Sequence, residues 1–354
     1  MKISAIDLFC GIGGLSYGLK KAGIPVAAGI DIDDSCEYAY TKNVRGEFIA
    51  KSVSELSGVE LKDKYWQEKG LIKVLVGCAP CQPFSSFTNK NKHRKKSNRW
   101  RLLNEFTRLI EETDCDIVSM ENVPNLSNQE IFDDFLQFLK EKKFNVSYSN
   151  VYCPEFGIPQ KRRRLVLLAS RLGEIKLIEA THKHDEFINT RDVIAHLPPV
   201  QSGEICESDP LHRTTQLGEL NLKRIKASKP NGTWLDWDKS LRLKCHRKES
   251  GSTYKSVYGR MSWKEPAPTI TTQFYNYGTG RFGHPTQDRA LTIREGSLLQ
   301  TFPQNYKFLK DELEDFQFRK IGVHIGNAVP VELGVVIGKS IRHHILKHHG
   351  KKKQ

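Results

Sequence analysis

A chain of 354 residues that is 38% hydrophobic and 27% charged has the composition of an ordinary soluble protein and the length for a large core, enough for two domains. No apolar run approaches the roughly 20 residues of a membrane span, and the opening MKISAIDLFCG reads as a strand entering a glycine turn rather than a signal peptide, so a cytoplasmic protein is expected. Lys and Arg number 55 against 41 Asp and Glu, and the resulting +14 favours a polyanionic partner such as nucleic acid; the eight cysteines show no framework spacing and are expected as reduced thiols.

In chain order, ISAIDLF (3–9) is a short apolar strand followed by the amphipathic LSYGLKKAG, and PVAAGID (25–31) precedes DSCEYAYTKN. IKVLVG (72–77) then precedes WRLLNEFTRLIEE, where Leu102, Leu103, Phe106, Leu109 and Ile110 form one apolar stripe. DIVSME (116–121) precedes IFDDFLQFLKEKK, with Phe132, Phe135, Leu136 and Leu139 forming the next, and NVSYSNVY and RRLVLLAS read as two further strands. This βαβα rhythm predicts an α/β domain with a parallel sheet and helices on both faces. From about 180 to 275 the rhythm fails, and polar, basic segments carrying Trp234, Trp237, Trp263, Tyr254 and Tyr258 predict a smaller domain of irregular or β character. Regular patterning returns in ALTIREGSLLQTF (290–302) and in the closing helix over 329–349. The expected division is therefore 1–180, 181–320 and a C-terminal segment, 321–354, that returns to the first domain and ends in a basic tail.

Basic clusters at 89–101, 160–164 and 241–248 sharpen the charge argument, because two of them lie beside segments that carry chemistry. His344 and His348 stand one helical turn apart, but two ligands make no zinc site, and no metal is expected. In DLFCGIGGLSYGLKKAG, Gly11, Gly13 and Gly14 would let the backbone approach a ligand at a helix N-terminus. The spacing is not that of a dinucleotide fingerprint and suits a nucleoside lacking a pyrophosphate, with Asp31 at the end of the next strand placed for ribose hydroxyls. Cys78 and Cys81 could be a redox pair, half of a metal site, or a loop presenting one thiolate. No second C-x-x-C exists to complete a zinc site, and nothing else supports redox chemistry. A lone nucleophile at Cys81 needs an acid partner, and Glu121 in SMENVPNL ends the next strand, at the same sheet edge, with Asn122 and Pro124 forming the turn.

DLFCGIGG, GCAPCQPFS, ENVP, QKRRR and IGNAVP occur in the order and at roughly the separations of the motifs of DNA (cytosine-5) methyltransferases, and the chain resembles the stand-alone bacterial restriction-modification kind. The resemblance covers 3–170 and about 266–340, and implies a Rossmann-like S-adenosylmethionine-dependent sheet plus a variable target recognition domain in the middle. It implies sequence-specific methylation at C5 of a cytosine flipped out of double-stranded DNA, through a covalent bond from Cys81 to C6. By the same resemblance Glu121 acts at N3, and Arg164, with Arg162 beside it, holds O2. Phe9, Gly11, Gly13, Gly14, Asp31, Ile32, Ser52, Pro80 and Asn327 would hold S-adenosyl-L-methionine, while Gln82, Ser85, Gln160 and Arg294 would serve DNA, Arg294 by organising the recognition domain. Ser52 stands where the family usually has Asp, and Asp31 where it usually has Glu. The resemblance further implies a monomer with, in some systems, a cognate restriction endonuclease. The competing expectations are an RNA (tRNA) cytosine-5 methyltransferase and a C-x-x-C thiol oxidoreductase.

Overall fold

A computed structural model of the chain describes residues 2–79, 101–247 and 254–350. Seven strands are formed: β1 (Lys2–Leu8), β2 (Val26–Asp31), β3 (Glu47–Ala50), β4 (Leu71–Gly77), β5 (Ile117–Asn122), β6 (Asn145–Tyr152) and β7 (Arg163–Ser170). They make one sheet in the order β3-β2-β1-β4-β5-β7-β6. The helices between them are α1 (Gly14–Lys21), α2 (Glu37–Val44), α3 (Gly58–Tyr65), α4 (Arg101–Thr113) and α5 (Glu130–Glu141). The parallel sheet expected from the β-α alternation holds for β1 to β5 but not beyond: β7 lies antiparallel between β5 and β6. The physical reason is the connection. Only residues 153–162 join β6 to β7, too few for a crossover helix, so the chain folds straight back.

β5 is buried at every position, as a strand covered on both faces must be. Ile6, Leu8, Leu75, Val118, Met120, Leu165 and Leu167 from the strands share one core with Leu103, Phe106 and Leu109 of α4 and Phe132, Phe135 and Leu139 of α5. The apolar stripes legible in the sequence are thus the buried faces of these two helices. The order reverses between β1 and β4, whose ends pair Leu8 with Gly77; Leu8 also pairs with Ile30, and Gly77 with Met120. Four parallel strands therefore terminate side by side at the switch point, where ligands of open α/β sheets bind.

The chain divides into two compact units, residues 1–156, 163–181 and 329–354 against residues 157–162 and 182–328. The boundaries expected at 180/181 and 320/321 differ from this at 157–162 and 321–328, which pack with the second unit. That unit holds a two-stranded sheet, β8 (Ile205–Cys206) and β9 (Asp209–Arg213), with α6 (Thr190–Ile194), α7 (Glu219–Ala227), α8 (Ile293–Leu299) and α9 (Phe318–Asn327). With so little regular sheet, buried cations satisfy the irregular backbone. Arg260 donates to the carbonyls of Ser228, His284, Gln287 and Ile225. Two tryptophans of this segment are interior: Trp234 stacks on His246 at 4.3 Å and Trp237 meets Tyr258 edge-on.

The last helix, α10 (Val331–Gly350), belongs to the first unit and packs on α1. The apolar stretch Phe318–His348 does reach membrane-span length and hydropathy, contrary to the expectation from the sequence, but most of it is buried in protein, as in a core helix.

Candidate active site

The strand ends at the switch point carry the chemistry. After β1 the chain turns through Phe9 (φ 62°), Gly11 (φ 49°) and Gly13 (φ 88°), three left-handed residues within five. Glycine bears such angles freely; phenylalanine does not, so Phe9 stores strain of the kind found at ligand sites. The neighbouring strand end holds the turn in place: Asp31 accepts from Gly11 N at 2.8 Å and from Asp33 N at 3.0 Å. A Cβ built on Gly11 would meet nothing within 4 Å, so the backbone there is open. Ile32 beside it is 76% exposed, and half-buried Ser52 caps the 3₁₀ turn Val53–Glu55 by accepting from Ser54 N.

Beneath this loop lies the acid that opens the DLFCGIGG motif. Asp7 is fully enclosed and accepts from Ser16 Oγ at 2.6 Å, the same hydroxyl lying 3.1 Å from Tyr40 Oη. Burial pushes its carboxyl up to about 7, against the lowering effect of the Ser16 hydrogen bond, with the charge of Asp31 adding to the rise. An acid inside the apolar ISAIDLF was the available signal.

On the other side of the switch point, Glu121 ends β5 with 2% of its surface exposed. Its Oε1 lies 2.8 Å from Arg164 Nε, a charge contact rather than an aligned hydrogen bond, and its Oε2 accepts from Cys78 Sγ at 2.7 Å. Arg164 comes from β7, and the antiparallel register that brings it here was not legible in the sequence. Asn122 ties the two loops together, donating from Nδ2 to Ala79 O at 3.1 Å and accepting from Val123 N. Cys78 is half-buried and stands as a thiol, outside any disulfide. Pro80, Cys81, Gln82 and Ser85 lie outside the described residues.

The family model for C-5 cytosine-specific DNA methylases matches residues 3–343. The chain belongs to that family. It is 51% identical to the type II methylase M.HgiDII of Herpetosiphon aurantiacus, over 96% of this chain and 95% of that one, and 30% identical to the type II methyltransferase M1.BsuMI of Bacillus subtilis, over 95% and 79%. In fold it is similar to a Spodoptera frugiperda DNMT2 mutant, with a TM-score of 0.62 at 17% identity over 96% of this chain and all of the other. The protein is a cytosine-5 DNA methyltransferase of the restriction-modification type, and these relatives favour neither an RNA methyltransferase nor a thiol oxidoreductase.

In this methyltransferase four residues expected at the site belong to the second unit. Gln160, expected at DNA, is wholly buried: its amide donates to Leu299 O and Gln300 Oε1 and accepts from Ile270 N. Arg162, expected beside Arg164 at the base, is buried and donates to Ile270 O at 3.1 Å. Arg294, expected at DNA, forms a two-pronged pair with Asp209 and donates to Gln304 O, 4% exposed. In this structure these side chains fasten loops of irregular backbone. The reason is common to all three: a buried turn leaves carbonyls that a long polar side chain must satisfy. Asn327 ends α9 and is exposed.

Proposed function

We propose that this methyltransferase modifies one cytosine within a short duplex sequence, in the cytoplasm, as a monomer, with the second unit as its target recognition domain and with a cognate endonuclease as its partner in restriction-modification. The observation that carries the reading is the meeting, at the ends of adjacent parallel strands, of an open glycine turn, the Asp31 carboxylate and the buried Glu121–Arg164 pair. The first two fit S-adenosyl-L-methionine: Asp31 for ribose hydroxyls, the Phe9–Gly14 turn for the amino-acid end, exposed Ile32 for the face of the adenine, with Ser52 and Pro80 following the next two strands in sequence. When bound, that cofactor supplies an electrophilic methyl group.

C5 of cytosine is a poor nucleophile, and the protein's task is to make it a good one. Attack of the Cys81 thiolate on C6 opens the C5–C6 double bond and leaves an enamine whose electron density sits at C5. Negative charge building on the ring is met at N3 by Glu121, which brings a proton, and at O2 by Arg164. Once C5 carries the methyl group, removal of its proton and expulsion of the Cys81 sulfur restore the aromatic ring and the free thiolate. Because C6 is screened in a stacked pair, the base must leave the helix first, and Gln82 and Ser85, on the loop after Cys81, are placed in sequence to fill or flank the gap.

Bisulfite sequencing of DNA from cells expressing the protein tests this. Methylation is expected at one cytosine of a recurring short motif, and absent with Cys81→Ser. A duplex carrying 5-fluorocytosine at that position should then yield a denaturation-resistant adduct mapping to Cys81, since fluorine cannot leave as the proton does. Scattered methylation, or an active Cys81→Ser enzyme, would refute the reading.

A further inference from the structure

Glu121 is held from two sides. One side is Arg164, the partner the motif leads one to expect; the other is Cys78, to which the reaction assigns nothing. The Cys78 sulfur lies 2.7 Å from Oε2, while the Arg164 Nε contact of 2.8 Å is to Oε1. The contact joins the loop after β4 to the end of β5, two segments also tied by Asn122 and Ala79. A carboxyl group that must present one oxygen to the edge of a base needs its plane fixed, and two contacts on opposite oxygens fix it.

We propose that Cys78 is a positioning residue for methyl transfer: its thiol orients Glu121 by donating to Oε2 and yields that oxygen when the cytosine arrives. The two contacts, an ion pair at Oε1 and a thiol hydrogen bond at Oε2, differ in a way that suits the exchange. A guanidinium is a strong, permanently charged donor, while a thiol is a weak one, so Oε2 is the oxygen more readily given up. N3 of neutral cytosine is an acceptor, and the carboxyl that meets it must carry a proton. The other charged or titratable group in contact with Glu121 among the described residues is Arg164, on β7. The role is distinct from a redox pair, because it needs Cys78 as a hydrogen-bond donor and not as a reductant.

The inference rests on Glu121 acting at N3, and the test separates the two. Single-turnover methyl transfer on a duplex bearing the mapped site is followed for the wild type, Cys78→Ala, Cys78→Ser and Glu121→Gln. Cys78→Ala is expected to lower the plateau rate about tenfold, the scale of one lost hydrogen bond at a charged group, with unchanged affinity for DNA and cofactor. Cys78→Ser, which keeps a donor, should recover the rate to within about twofold. Should Cys78→Ala not fold, Cys78→Val carries the same expectation. A wild-type rate without the thiol would overturn the proposal, as would an equal loss in the serine variant. A fully active Glu121→Gln would instead remove the reading of Glu121 on which it rests.

Discussion

Asp7 shows how much one side chain's surroundings decide. Its carboxyl, pushed up to about 7 by burial under the glycine turn, holds a proton that the unfolded chain would release near the ordinary value of 3.8. Between those two values the folded state binds the extra proton, so stability falls as pH rises through the window and levels off above it. Asp7→Asn removes the titration but keeps a group that Ser16 can bond. The difference in melting temperature between variant and wild type should therefore grow more favourable to the variant from about pH 4 to pH 7, measured by thermal melts across that range. A difference that stays constant would assign the proton elsewhere. Asp31, at the end of the next strand, was legible because it ends a strand; Asp7 was not, because alternation in a strand does not say how completely a position is enclosed.

Among the elements, the pairing of α1 with α10 is the contact most exposed to a small change. A Cβ on Gly18 would come within 2.6 Å of Gly334 Cα, and one on Gly334 within 2.8 Å of Leu15 O. These are backbone atoms, which cannot swing aside as a side chain can. Gly18→Ala and Gly334→Ala should each cost about 1–3 kcal/mol through overpacking, although alanine is the better helix former. Urea unfolding of each variant reads the cost as a lower midpoint; a gain in stability would mean that the two helices part without penalty. Because α1 begins at the glycine turn, Gly18→Ala should also weaken cofactor binding more than Gly334→Ala does. α8 is held differently. Its capping box of Thr292 and Glu295 is buried, and although burial alone would raise the Glu295 carboxyl, the paired Arg289 guanidinium brings it down to about 2.

At the scale of the whole molecule, the charge of +14 predicts how the enzyme meets its substrate. Each phosphate neutralised by Lys or Arg releases condensed counterions, so the logarithm of DNA affinity should fall linearly with the logarithm of salt concentration. If about five to eight phosphates are engaged, affinity drops by a factor of about 10³ to 10⁴ between 50 and 200 mM salt, as titration of a labelled duplex at several ionic strengths would show. A flat response would mean that the basic clusters face away from DNA. What the sequence determined by itself is what depends on neighbours along the chain. The β-α rhythm, the apolar stripes of α4 and α5, the glycine turn, and Asp31 and Glu121 at strand ends are all local patterns, and the short motifs that name the family are local too. What the tertiary structure decided depends on residues far apart in the chain. The antiparallel insertion of β7 brings Arg164 to Glu121. The ends of β4 and β5 set Cys78 against the same carboxylate. The fate of Gln160 was beyond sequence reasoning for the same reason: whether a polar side chain meets solvent or a buried carbonyl is settled by which irregular loops close over it, and that closure is a property of the packed chain and not of any segment within it.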